Sequence, residues 1–392
     1  MRALELHGLV LALAAVFACA VPRPGMAQQP IQIGATCSIT GVDAVQGGYV
    51  RDGYLLCQKH VNEKGGLLGR PIQFVIRDDA SEGKTAIRLY ESLITEDKVD
   101  AVMGPYGSPI TEAVADVVEK HRKLMVAPAA GTSAIWEKGR RYTVMVISPL
   151  EASTEGTIDL AARHGLKTIG LVGAQARPAI IKGALDVARK KGLDVVVHET
   201  FPPATKDFSD ILNKVKARKP DALVVGAPPS DAIAITRQMR ELDVNVKMYG
   251  VTPGAAYPDY QKSLGKTAEF VYGGSYWEPG LPYPGNREFV AAYQKEFGRA
   301  PSANSAEGYA ACQLFVDAAR RAVSLDSDLV RAELLKTRTR TVFGDFAVDE
   351  RGFQVGHKAV TVQWQDGSPV VVWPDDAATG KARFPTPSWS GR

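Results

Sequence analysis

Cysteine, histidine and net charge are all scarce in this chain, which has 4 cysteines, 6 histidines and a net charge of +4 in 392 residues. The charge is spread along the chain. A nucleic-acid surface needs a basic stripe with base-stacking aromatics, so that class of partner is excluded. His60, His121, His164, His198 and His357 show no metal-ligand spacing among themselves or with the cysteines, and no cofactor is expected. Neither a GxSxG elbow nor a P-loop occurs, which removes the common acyl-transfer and nucleotide-binding chemistries. Asp78-Asp79 at a strand end reads as a pair of loop carboxylates, and catalysis is not expected. After the first residues no apolar run is long enough for a bilayer, so a soluble mature chain is predicted.

The start of the chain is different. Arg2 precedes an apolar stretch from about Gly8 to Val21, and VPRPGMA leads to Gln28. This pattern predicts a signal peptide over residues 1–27, cleaved after Ala27 with Gly25 and Ala27 as the small flanking residues. Lipidation at Cys19 is the second reading, disfavoured by the bulky Phe17 two places earlier. Export to the periplasm follows from either. Cys37, Cys57 and Cys312 then remain, and spacing leaves open whether they are core residues or form one disulfide.

What is abundant is alternation. IQIGATC (31–37) is a strand-length apolar run ended by SITG, and Val50, Tyr54, Cys57 and Val61 then mark the buried face of a helix. Backbone N–H groups in that turn are expected to be free at a strand's carboxyl end, where open α/β sheets hold ligands. Strand-like runs follow at 71–76, 100–105, 124–130 and 142–148, and a second series at 168–173, 194–201, 221–229 and 247–252, with helical periods between. Two βα series predict two doubly wound parallel-sheet lobes. Two further helical periods cover 286–297 and 302–323. Short antiparallel strands are expected within 341–364, and a loose surface tail from Asp375 to Arg392.

SITG, NEKGGLLGRP (62–71), GPYGS (104–108), PAAGTSA (128–134) and TVFGDFAVDERG (341–352) occur in this order along essentially the whole mature chain. Together they resemble the type I periplasmic solute-binding proteins of the leucine/isoleucine/valine-binding family, which serve ATP-driven importers. The resemblance implies two lobes joined by three crossing segments, near Ser148-Pro149, Ser275 to Glu278 and Phe343 to Val348. Lobe one would comprise 28–148 and 278–343, and lobe two 149–277 and 344–392. It further implies that the ligand's carboxylate meets Ser108 and the Ala130-Gly131-Thr132 turn. Hydroxyls and amides at two helix starts suit an anion independently of any name.

On the second lobe the pattern departs from the family. Arg177 stands where an aromatic is expected, and Thr252 stands where an acid for a ligand's ammonium is expected. Tyr106, Tyr257, Tyr276 and Trp277 are candidates for the cleft wall, with Gln46 as a polar contact. Without the acid, a small organic carboxylate, aromatic or aliphatic, is preferred over a zwitterion; Asp231 or Glu278 reaching an ammonium would reverse that. The alternatives are an amino-acid-binding protein of the same transporter class and a periplasmic sensor. The expected partners are the ligand and the permease and ATPase subunits of an importer, with the chain itself monomeric.

Overall fold

The computed structural model describes residues 29–392, so the expected leader and Cys19 lie outside the described residues. The first series forms β1 (Ile31–Cys37), α1 (Ala44–Glu63), β2 (Ile72–Asp78), α2 (Gly83–Thr95), β3 (Ala101–Met103), α3 (Ser108–Lys120), β4 (Met125–Ala127) and β5 (Thr143–Met145). These strands make one parallel five-stranded sheet in the order β2-β1-β3-β4-β5. Ile31, Ile33 and Ala35 are fully buried, as strands covered on both faces require.

The second series repeats this winding. It runs α4 (Glu155–Arg163), β6 (Thr168–Ala174), α5 (Pro178–Lys190), β7 (Asp194–Phe201), α6 (Ser209–Arg218), β8 (Ala222–Ala227), α7 (Pro229–Glu241), β9 (Met248–Pro253), α8 (Pro258–Leu264) and β10 (Tyr272–Ser275). Their order, β7-β6-β8-β9-β10, matches that of the first sheet. Each sheet therefore has a switch point, between β1 and β3 and between β6 and β8, where loops leave in opposite directions and open a crevice.

The chain then returns to the first sheet. α9 (Asn286–Phe297), α10 (Ala303–Ala322) and α11 (Ser327–Lys336) follow, with α9 and α10 packed on α1 and α11 on α10. A Cβ on Gly53 would lie 2.2 Å from Ser305 O, and one on Gly308 would lie 2.5 Å from Val50 O, so glycine permits the close approach of α1 and α10. Beside that contact Cys57 and Cys312 form a disulfide, with Cα atoms 6.3 Å apart, while Cys37 is free and buried. The choice left open by spacing is thus decided by two buried helix faces meeting.

After α11 the chain makes a short hairpin, β11 (Thr339–Thr341) and β12 (Gly344–Phe346), and then β13 (Val360–Gln365) and β14 (Ser368–Trp373). The last two add antiparallel strands to the β10 edge of the second sheet. The third crossing, expected near Phe343 to Val348, comes later. Gly352 O still accepts from Met145 N at 2.8 Å and Gln354 Nε2 donates to Val146 O at 2.8 Å, so this stretch remains bonded to the β5 edge. The chain reaches the second sheet only between His357 and Val360.

The tail is also not loose. Trp389 is 8% exposed, its indole N–H donates to Val244 O at 2.7 Å, and Phe384 stacks on His164 with ring centres 4.0 Å apart. Composition alone missed this because two aromatics outweigh the surrounding polar residues once they find apolar seats.

Candidate functional site

The carboxyl ends of the two switch points supply the candidate residues. At the first, the SITG turn proves to be occupied by the protein itself. Asp78 Oδ1 accepts from Ile39 N at 2.9 Å and Thr40 N at 3.2 Å, and buried Asp79 accepts from Thr36 and Ser38 hydroxyls at 2.8 and 2.7 Å. Two of the amides expected to be free, those of Ile39 and Thr40, are therefore taken. These bonds hold the Asp78 carboxyl down to about 2 against the opposing effect of its burial. The two adjacent acids fix the β1–α1 turn, on which Gly47 packs so closely that a Cβ would meet Ser38 O at 2.2 Å.

Next along the rim, Gly107 adopts φ 86°, turning the chain from Tyr106 into α3. Ser108 Oγ then accepts from the amides of Gly131 at 3.1 Å and Thr132 at 3.2 Å. Those amides are satisfied by the hydroxyl rather than left for an anion. Among the described residues no acceptor takes the Ser108 hydroxyl proton, so Ser108 keeps one donor, already aligned by two bonds. Ala130 and Gly131 are buried and contribute backbone; Thr132 is half-buried. Gln46 lies half-buried in the first turn of α1.

From the second lobe come Arg177, exposed just before α5, and Tyr257, half-buried just before α8. Arg177 has no acidic partner within 4 Å among the described residues, yet its charge reaches Asp43 at the start of α1. Burial pushes the Asp43 carboxyl up, and Arg177 opposes that. Burial likewise pushes the Tyr106 hydroxyl far above its ordinary range, with Tyr257, Glu307 and Asp43 adding and Arg177 opposing. Tyr276, on the second connection, responds to burial first, then to Glu307, Tyr257, Arg177 and Glu151. Residues of both lobes therefore share one electrostatic neighbourhood: Tyr106 and Glu307 from the first, Arg177 and Tyr257 from the second, and Tyr276 between them.

Two expected members lie elsewhere. Thr252 is 1% exposed and its hydroxyl accepts from Gly274 N at 3.0 Å, filling the seam between β9 and β10. Trp277 is 2% exposed and turns into the first lobe, where its indole N–H donates to Asn286 Oδ1 at 3.1 Å and Val342 O at 2.9 Å. An indole nitrogen with two buried acceptors is anchored rather than presented to a ligand.

Sequence reading missed Glu307, which is 1% exposed and accepts from Asn304 Nδ2 at 2.9 Å. Burial pushes its carboxyl up to about 8. Its signal was a single acid flanked by Ala306 and Gly308, on a helix whose adjacent positions are buried. Glu278, named as an alternative, is raised to about 7 by burial, while the nearby Ser275 hydroxyl donates to Trp277 O at 3.0 Å. The two surface depressions along α7–α8 and around Pro279 to Gln294, of about 440 and 650 Å³, are separate from this cluster. No cluster of potential metal ligands occurs among the described residues.

With two repeated switch-point sheets and facing rims in place, comparison with known proteins is decisive. The family model described as "Periplasmic binding protein" matches residues 30–369. The chain belongs to the periplasmic binding protein family. This binding protein is 23% identical over 404 residues to the Leu/Ile/Val-binding protein homolog 7 of Brucella suis, covering 97% of this chain and 100% of that one. It also resembles the LivJ branched-chain amino acid transporter substrate-binding protein of Streptococcus pneumoniae, solved with isoleucine, at TM-score 0.75 and 23% identity over 91% of this chain and 100% of that one. A solute-binding protein of an ABC transporter from Rhodopseudomonas palustris, solved with 3,4-dihydroxybenzoic acid, matches at TM-score 0.71 and 27% identity, over 87% of this chain and 95% of that one. The binding protein thus has the two-lobed fold of type I periplasmic binding proteins, and the family is one of solute capture for ABC transporters.

Proposed function

We propose that this chain captures a small organic carboxylate between its lobes and presents the closed form to a membrane permease and its ATPase, without chemistry on the ligand. The observation that carries the reading is Arg177, whose guanidinium has no acidic partner within 4 Å among the described residues while its charge reaches Asp43 and Tyr106 across the cleft. An unpaired guanidinium beside half-buried tyrosines suits a carboxylate, with Ser108 donating from the other lobe. Only a closed cleft lets both lobes hold the ligand together, so the ligand favours closure. The three connections through Ser148, Tyr276 and His357 provide the axis for this motion.

The Rhodopseudomonas neighbour with dihydroxybenzoic acid supports an aromatic acid within this class. A second reading, an amino acid, is favoured by the buried acid Glu307 and by relatives named for leucine, isoleucine and valine. Thermal melting of protein stripped of ligand, against a library of aliphatic, aromatic and amino acids, tests both. A true ligand at a hundred times its Kd adds about 2.7 kcal/mol and raises Tm. A library-wide absence of any shift would refute carboxylate capture.

A further inference from the structure

The turn after β4 is gripped from two sides. From the first lobe, Ser108 Oγ accepts from the amides of Gly131 and Thr132 at 3.1 and 3.2 Å. From beyond the first connection, Leu150 N donates to Gly131 O at 2.8 Å, and the Glu151 carboxylate accepts from the Ser133 hydroxyl at 2.8 Å. Among the described residues this is the one hydrogen bond of that carboxylate, which has no ion pair. Gly131 lets the two segments meet, since a Cβ there would lie 3.1 Å from Leu150 Cγ and 3.4 Å from Leu150 N.

The bonded partners belong to different lobes. Ser133 opens a short 3-10 turn, Ser133–Ile135, and Ile135 and Trp136 are buried in the first core, where the indole donates to Thr143 O at 2.9 Å. Leu150–Ala152 forms a second such turn, which packs on α5. A Cβ on Gly183 of α5 would lie 1.9 Å from Glu151 O, so this turn and the helix are seated as one body. On either side, the Ser148 and Thr154 hydroxyls are buried without a partner and do nothing to place the turn. Among the described residues, its hydrogen bonds outside its own segment run to Gly131 and Ser133.

α5 in turn begins directly after Arg177. Contacts therefore run from Ser108 through the Gly131–Ser133 turn to Glu151, across Gly183, and along α5 to Arg177. They link the two groups expected to hold the ligand's carboxylate from opposite lobes.

We propose that Ser133 and Glu151 are a positioning pair, an interlobe latch that favours approach of the lobes and aligns Arg177 with Ser108 before a ligand arrives. This rests on the capture reading above and deepens it. A half-buried hydrogen bond to a carboxylate is stronger than an exposed ion pair, and it is lost when the lobes separate. It thereby raises the fraction of protein competent to hold ligand from both sides, and the apparent Kd falls as that fraction rises.

The test reads lobe separation directly. Spin labels on Lys84→Cys and Lys206→Cys, exposed beyond the carboxyl ends of β2 and β7, report the distance across the cleft in ligand-free protein. Ser133→Ala and Glu151→Ala should each shift the distances towards longer values, and the double variant should add little to either. Ser133→Thr and Glu151→Gln, which keep a hydroxyl donor and a carbonyl acceptor, should restore most of the wild-type distribution, a rescue that loss of packing alone would not give. Calorimetry and stopped-flow with isoleucine and 3,4-dihydroxybenzoate, the ligands of the two solved relatives, form the second arm. Whichever binds wild type should bind the alanine variants about tenfold more weakly, chiefly through faster dissociation. Distances unchanged or shortened in both alanine variants, additive effects in the double variant, or no rescue by Glu151→Gln and Ser133→Thr each overturn the latch. Binding of neither acid to wild type weighs against the capture reading alone, because the ligand-free distances test the latch without a ligand.

Discussion

The backbone N–H of Ser148 donates to Nδ1 of His357 at 3.2 Å, tying the first connection between the lobes to the third. The same imidazole stacks on Phe343, with ring centres 4.4 Å apart and planes 7° apart, and lies 6.5 Å from the ring of Tyr276 on the second connection. Among the described residues, segments at Ser148, Tyr276 and Phe343 therefore meet at one buried ring. Nδ1 can accept only if it carries no proton, so the bond specifies the neutral imidazole with its hydrogen on Nε2.

That arrangement predicts an opposed pH dependence of stability. Burial lowers His357 to about 4 from an ordinary 6.5, so its contribution is complete above pH 6.5 and is lost as pH falls towards 4, where the unfolded chain takes the proton first. The size is at most on the order of 3 kcal/mol. Glu307 and Glu278, raised by burial to about 8 and about 7 from 4.5, act in the other sense: stability is lost as pH rises from 4.5 towards those values. Two acids outweigh one histidine over the shared range, so the contribution of these three groups to urea midpoints should fall from about pH 4.5 to about 8. His357→Gln should steepen that fall below pH 6.5 and Glu307→Gln should make it shallower up to about pH 8; profiles unchanged in both variants would contradict these assignments.

The Cys57–Cys312 disulfide closes a sequence separation of 255 residues and joins the first helix to α10. Reduction, or Cys57→Ala with Cys312→Ala, should destabilise by about 2–5 kcal/mol, seen as a lower Tm. Cys37 is buried beside Asp79, and burial holds its thiol far above the reactive range, so native protein should not expose it to thiol reagents. Rapid labelling of Cys37 without unfolding would contradict its placement.

Ligand affinity should separate from stability at Arg177. Because its side chain is exposed and unpaired within 4 Å among the described residues, Arg177→Gln should leave Tm unchanged in ligand-free protein. It should weaken carboxylate binding about tenfold to a hundredfold, from the loss of about 1.5–3 kcal/mol in a charged hydrogen bond. Ser108→Ala should weaken binding and also lower Tm, since it strips the acceptor from two amides. Titration of each variant by calorimetry, alongside melting curves, checks the distinction.

Trp277 should be structural. Trp277→Phe leaves Asn286 Oδ1 and Val342 O short of a donor, which should cost about 1–3 kcal/mol of stability. Ligand-dependent tryptophan fluorescence should persist in that variant. Its disappearance would mean that the indole senses closure after all.

Much of this was legible in the sequence, because it depends on local order. Periodicity located the two βα series, and Val50, Tyr54 and Cys57 on the inner face of α1 are buried as their spacing requires. Tyr106, Ser108 and Arg177 could be assigned to strand ends because a βα turn follows directly from its strand. Other features depended on partners far along the chain. Asp78 closes the SITG turn from the neighbouring strand, Cys57 meets Cys312 only when α10 returns to α1, and Trp389 anchors the tail on residues near Val244. Glu307 lies in a helix of ordinary composition, and its altered acidity comes from burial, which depends on what packs around α10 and not on the helix itself. The sequence by itself determined the elements and their winding, since propensity and hydrophobic period act over a few residues. Only the tertiary structure decided which polar groups were already satisfied and which were left without a partner, because desolvation and hydrogen bonding are properties of a side chain's surroundings.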